Sequence, residues 1–169
     1  MKTKYVVVED YNPEWKNEFE RIKNELLTVL SDKIESIEHV GSTSVEGLSA
    51  KPIIDIDVVI WNNFEEVKNL LESIEYIHEG DLGILGREAF SYKNKSHLMA
   101  HHLYVCNKNN EELHRHITFR DYLRQHEEDK NRYSSIKKEM ALKYPEDIDS
   151  YIEGKQDVIL DIYKKCGLY

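Results

Sequence analysis

The chain has 169 residues, enough for one domain that buries roughly two thirds of the surface its unfolded form exposes. With 40% hydrophobic and 33% charged residues it has a globular balance, and a formal charge of -9 without a long basic run argues against nucleic acid as a partner. No apolar window approaches the ~20 residues that span a bilayer, the N-terminus lacks the apolar core and cleavage site of a secretory leader, and the two cysteines, Cys106 and Cys166, form no CxxC. A cytoplasmic protein with buried free thiols is expected, with no membrane partner, no disulfide framework and no structural zinc.

In chain order, the β-branched run at 4 to 8 predicts an edge strand or an arm. Asn12 and Pro13 open a helix as N-cap and first helical residue, and Trp15, Phe19, Ile22, Leu26, Leu27, Val29 and Leu30 give it an apolar stripe. Residues 34 to 40 alternate and read as a strand with one covered face. A Gly-Ser turn follows, then a short helical segment at 45 to 48 and the most strand-like run of the chain, 52 to 60. Residues 63 to 74 form a capped amphipathic helix. Residues 76 to 106 hold two or three more strands, punctuated by Gly80, Gly83 and Gly86, the last strand being 101 to 106. From 110 onward the pattern is helical, over 111 to 125, 130 to 143 and 148 to 166. The sum is a single domain over 1 to 169, with an α/β core to residue 109 and a helical tail from 110.

The strand at 52 to 60 carries two carboxylates in an apolar run. Residues two apart in a strand share a face, so Asp55 and Asp57 point one way while Ile54, Ile56, Val58 and Ile60 point the other. Two like charges so close ionise together only with a cation nearby, and Mg²⁺ or Mn²⁺ suits a pair of carboxylates completed by water and phosphate oxygens. Ahead of them, Gly41 permits close backbone approach, and the hydroxyls of Ser42, Thr43 and Ser44 with successive backbone N–H groups predict an anion cradle. A phosphate cradle joined by a short connection to a metal strand points to a nucleoside triphosphate.

Val40-Gly41-Ser42, then twelve residues, then Asp55-Ile56-Asp57-Val58 resembles the signature of the nucleotidyltransferase superfamily. The longer run HVGSTSVEGLSAKPIIDIDVVI resembles the GrpB family, a group assigned to that superfamily and sometimes fused to dephospho-coenzyme A kinase. Tyr11-Asn12-Pro13-Glu14-Trp15, His101-His102-Leu103 and the run from Phe119 to Arg124 are similar to further family motifs, so the resemblance covers nearly the whole chain. It implies a nucleotidyltransferase-like mixed β-sheet flanked by helices, with a helical C-terminal extension. It also implies that Gly41 and Ser42 hold the β- and γ-phosphates and that Asp55 and Asp57 bind Mg²⁺. Active members of that superfamily add a third carboxylate from a later strand, and none is evident here. His102 is expected on the face where it would stand, as a third metal ligand or a base.

The remaining cations divide between chemistry and structure. Arg87, Arg115, Arg120 and Arg124 suit phosphate oxygens through the guanidinium fork, although Arg120 and Arg124, one helical turn apart, equally suit ion pairs with Asp121 and Glu127. Lys51 is placed to close on the same phosphates. Tyr133, Tyr151 and Lys155 read as helix packing. His101, His102, His114 and His116 do not converge as a zinc site on strand and helix geometry. The expected activity is metal-dependent nucleotidyl transfer from a nucleoside triphosphate to an unknown acceptor. The alternative is a non-catalytic module that binds a nucleotide or a coenzyme A-like ligand and assists a partner enzyme.

Overall fold

The computed structural model describes residues 5 to 169. Five strands, β1 (Ser36–Val40), β2 (Ile54–Ile60), β3 (Tyr76–Gly80), β4 (Arg87–Tyr92) and β5 (His101–Asn107), form one sheet in the order β1-β2-β5-β4-β3. β2 and β5 run parallel, and the remaining neighbours run antiparallel. The helices are α1 (Glu14–Leu30), α2 (Phe64–Glu72), α3 (Glu111–Gln125), α4 (Glu127–Lys143) and α5 (Ile148–Lys165). This is a mixed α/β sheet flanked by helices with a helical C-terminal extension. No helix among the described residues is long and apolar enough to cross a membrane.

The apolar face of the sheet forms the main core. Trp15, Phe19, Ile22, Leu26 and Leu30 of α1 and Val67 and Leu71 of α2 close over Ile54, Ile56, Val58 and Ile60 of β2 and over Leu103 and Val105 of β5. Asn12 caps α1 as its sequence predicts, its Oδ1 accepting from Glu14 N at 2.9 Å. Asn63 instead makes no side-chain cap for α2 and donates to Lys33 O at 2.7 Å, tying α2 to the turn before β1.

Some boundaries differ from the sequence expectation. The segment 5 to 8 is no strand, and the chain meets Ala50 by an isolated antiparallel bridge at Glu9; Lys4 lies outside the described residues. A one-turn helix forms at Ser42–Ser44, where Gly41 O accepts from Ser44 N directly after the glycine, and the segment expected as helical at 45 to 48 is a turn closed by Leu48 N donating to Val45 O at 3.1 Å. β1 begins at Ser36, after another one-turn helix at Ser31–Lys33.

The carboxylate face is covered unevenly. Leu113 and Ile117 of α3 pack on Val59 and Cys106 at one end of the β2–β5 pair. α3, α4 and α5 then fold over the 41–51 loop, with Leu123, Tyr133 and Ile162 enclosing Val45 and Leu48, and Met140 and Tyr151 enclosing Val6. Burial pushes the Cys106 thiol up to about 12, so it is an inert core group. Ile56 is fully buried at the centre of β2. Ile56→Ala should lower unfolding free energy by about 2–5 kcal/mol, read by chemical denaturation with an unchanged slope.

Candidate functional site

Gly41 sets the geometry of the site. It has φ 73° and ψ -177°, a conformation essentially confined to glycine, and a Cβ there would overlap Asp55 Oδ2. The carboxylate therefore lies against bare backbone at the turn. Ser44 Oγ donates to Gly41 O at 2.5 Å, and Thr43 Oγ1 bonds His39 Nε2 at 2.9 Å and donates to Ile53 O at 3.4 Å. Both hydroxyls are thus occupied in building the turn, which narrows the expected cradle to Ser42. Its Oγ accepts from Lys137 Nζ at 2.7 Å.

Strand pairing puts Asp55 and Asp57 on one face, with His102 directly across from Asp55 and Tyr104 across from Asp57. His102 Nδ1 shares a 3.0 Å hydrogen bond with Asp55 Oδ1. Asp57, 1% exposed, pairs through Oδ2 with His116 Nδ1 of α3 at 2.7 Å, and His116 Nε2 lies 3.2 Å from Glu112. Burial pulls the His116 pKa down, but the Asp57 hydrogen bond and charge outweigh it and leave it raised. Glu38 lies opposite Asp57 in β1 and forms an ion pair with Arg120 at 2.9 Å.

Asp57 Oδ1 is buried without a protein partner. That orphaned oxygen, beside a second carboxylate on the same face, fits an oxygen-preferring divalent cation that takes one or two carboxylates and completes its shell with water. A three-ligand set does not form: among the described residues no group of three or more His, Cys, Asp or Glu side chains is placed to hold a metal. His102 bonds to Asp55 through Nδ1, so the structure gives it the position of a partner to that carboxylate.

A cavity of about 290 Å³ opens between the turn and the helical extension. Gly41, Ser42, Asp55 and His102 line one side, and Tyr133 and Lys137 of α4 and Tyr151 and Lys155 of α5 line the other. Lys51 also lines it, and Tyr133 and Tyr151, packed in the helical cores as their sequence reading has it, border it together with Lys155. Lys137 is 2% exposed, with its Nζ 4.4 Å from the centroid of the Tyr133 ring. Burial, then the Lys155 and Lys51 charges, pulls its pKa well below the lysine range; burial brings Lys155 to about 8 and also lowers Lys51.

The arginines lie elsewhere. Arg120 bonds Glu38, Asp121 and His39 O, and Arg124 donates twice to Ser44 O, at 3.1 and 2.8 Å. Arg87 lies 4.0 Å over the Tyr104 ring. None of the three lines the cavity; Arg120 and Arg124 clamp β1 and the Gly-Ser turn to α3. Lys137 gave no sequence signal, because a lone lysine in a charged helix resembles its solvated neighbours. His116 was legible only as one of several histidines.

Gly41→Ala should cost about 1–3 kcal/mol of stability from the backbone conformation alone and displace Asp55, so the melting temperature should fall. His39, stacked 4.6 Å from Phe19, is held neutral by burial, its pKa lowered from 6.5 to about 4. The unfolded chain takes up that proton more readily, so the His39 contribution is present above about pH 6.5 and is lost as pH falls toward 4. The gap is worth about 3 kcal/mol. Thermal melts from pH 7 to 4.5 should show a steeper loss for the wild type than for His39→Gln, and parallel curves would refute the assignment.

Comparison with known proteins places the chain. The family model described as GrpB protein matches residues 5–165. The UPF0157 protein YqkA of Bacillus subtilis is 35% identical over 88% of this chain, and the match spans only 43% of that longer protein. The crystal structure of the conserved protein GrpB from Enterococcus faecalis superposes with a TM-score of 0.81 at 32% identity, covering 95% of this chain and 96% of that one. The Cid1 poly(U) polymerase aligns over 68% of this chain and 42% of its own at 12% identity and a TM-score of 0.45, too distant to carry function. With the family model matched over almost its full length and a near-complete superposition on a solved member, this chain belongs to the GrpB family.

Proposed function

We propose that the lysine-lined cavity binds a nucleoside triphosphate with Mg²⁺ or Mn²⁺ and passes its nucleotidyl group to an acceptor hydroxyl. The observation that carries the reading is the convergence of Lys51, Lys137 and Lys155 on Ser42 and Asp55 in one cavity of a chain whose net charge is -9. Burial lowers the pKa of all three amines, and a polyphosphate would favour their charged forms while accepting their hydrogen bonds. Lys137 places its amine at Ser42, and Gly41 lets the Asp55 carboxylate lie against the same turn. A cation on Asp55 and Asp57 would supply neutralisation of charge at the transferring phosphoryl group. The Asp55 bond keeps the His102 ring fixed at the rim of the cavity.

One observation favours a second reading. Where a third carboxylate would complete the metal site, His102 faces Asp55, and Glu38 on β1 is taken by Arg120. The same cavity then binds the nucleotide without transferring it and presents it to a partner enzyme.

Calorimetric titration with ATP, GTP, CTP and UTP, each with Mg²⁺ or Mn²⁺, tests the common part of both readings. Lys137→Ala or Lys155→Ala should weaken binding by about tenfold or more, from the loss of a charge-assisted hydrogen bond. Asp55→Asn with Asp57→Asn should remove the dependence on the divalent cation. Affinity should be greatest below pH 8 and decline above it, as Lys155 gives up its proton. A wild type that binds no triphosphate under any of these conditions would overturn the proposal. Incubation with α-labelled triphosphate and a cell-extract acceptor pool separates the two readings, since label leaves the nucleotide only under transfer.

A further inference from the structure

The carboxylate face of the sheet is only partly covered. α3 packs over Val59 and Cys106, and beyond that contact a groove of about 270 Å³ runs over the same face. Ala89 and Ser91 of β4 and His102 and Tyr104 of β5 contribute to it, with Ala89 directly paired to Tyr104. Leu82 and Glu79, from the turn between β3 and β4 and the end of β3, also line it. Glu79 is its sole carboxylate, no lysine or arginine lines it, and Arg87 over the Tyr104 ring is not part of the wall.

The groove adjoins the lysine cavity. His102 and Ile53 line both, so the two spaces meet at the residue bonded to Asp55. Their chemistry is opposite: one is cationic and suited to phosphate, the other largely apolar with a single acid.

We propose that this groove is the acceptor subsite, and that the acceptor is a cationic molecule with an aromatic or alicyclic ring, its amine toward Glu79 and its hydroxyl toward His102. The inference rests on the transfer reading above. A ring of ordinary size buries its faces against Leu82, Ala89 and Tyr104, which is where its affinity comes from, and Glu79 rejects an anionic analogue. In the step, an electron pair of the acceptor oxygen forms a bond to the α-phosphorus. The bond from that phosphorus to the bridging oxygen breaks with its pair, pyrophosphate leaves, and the hydroxyl proton passes to solvent.

Tyramine and 4-hydroxyphenylacetate, the same hydroxylated ring with opposite charge, are the probes, followed by ligand-observed NMR on the full chain. Tyramine should bind the wild type at least about tenfold better than 4-hydroxyphenylacetate, and Glu79→Gln should erase that preference. Ala89→Phe fills the groove and should abolish tyramine binding while leaving MgATP binding unchanged. Ser91→Leu, at the more exposed wall, checks the same point should Ala89→Phe melt early. Tyramine should also remain bound when MgATP is saturating. Absence of tyramine binding, binding indifferent to Ala89→Phe and Ser91→Leu, or competitive displacement by MgATP would each overturn the acceptor assignment. Because MgATP binding is read separately, failure of the groove is distinguishable from failure of the nucleotide reading.

Discussion

The hydrogen bond from Lys137 to Ser42 joins residues 95 positions apart and gives the site its form. A lysine 2% exposed is costly unless its charge is answered. Burial, then the Lys155 and Lys51 charges, lower its pKa well below the lysine range, and the Ser42 hydroxyl, the face of Tyr133 and the field of Asp55 offset part of that cost. That arrangement requires α4 to lie over the Gly-Ser turn, which in turn requires α3 to cross the sheet and α5 to back α4. Without the extension the turn would be an open loop at the sheet edge, and the carboxylates would face water.

The two faces of β2 divide the labour. Ile54, Ile56, Val58 and Ile60 fix the sheet to α1 and α2, and on the other face Asp57 is buried beneath α3 while Asp55 is half-exposed at the cavity. Each carboxylate has its own histidine, His102 from the parallel neighbour strand and His116 from the crossing helix. The two pairings differ in consequence. His116, its pKa raised by Asp57, bonds that buried carboxylate, whereas His102 stands where the lysine cavity meets an apolar groove.

The arginines illustrate how a physically sound reading of residue type is redirected by position. A guanidinium fork suits phosphate, but it equally suits a main-chain carbonyl and a carboxylate held nearby. Arg124 spends two donors on Ser44 O and Arg120 spends its own on Glu38, Asp121 and His39 O. Both act on the site by holding the turn that presents Ser42.

Local physics made much of this protein legible from its sequence. Side-chain alternation set the two faces of β2, helical spacing set α1, and the Gly41-Ser42 and Asp55-x-Asp57 pairs lie within one short connection, so their adjacency needed no knowledge of the fold. The separate strand positions of His102 and Tyr104 also followed from period-two geometry. What only the tertiary structure decided were the contacts between distant segments: Lys137 and Lys155 turned inward, His116 on Asp57, Thr43 and Ser44 turned back onto their own loop, and the groove left bare beyond α3. The reason is that a lysine, a histidine or an arginine on an amphipathic helix has several partners of equal chemical merit. Which one it meets is set by how α3, α4 and α5 cross the sheet, a choice made by the whole core and written in no short stretch of chain.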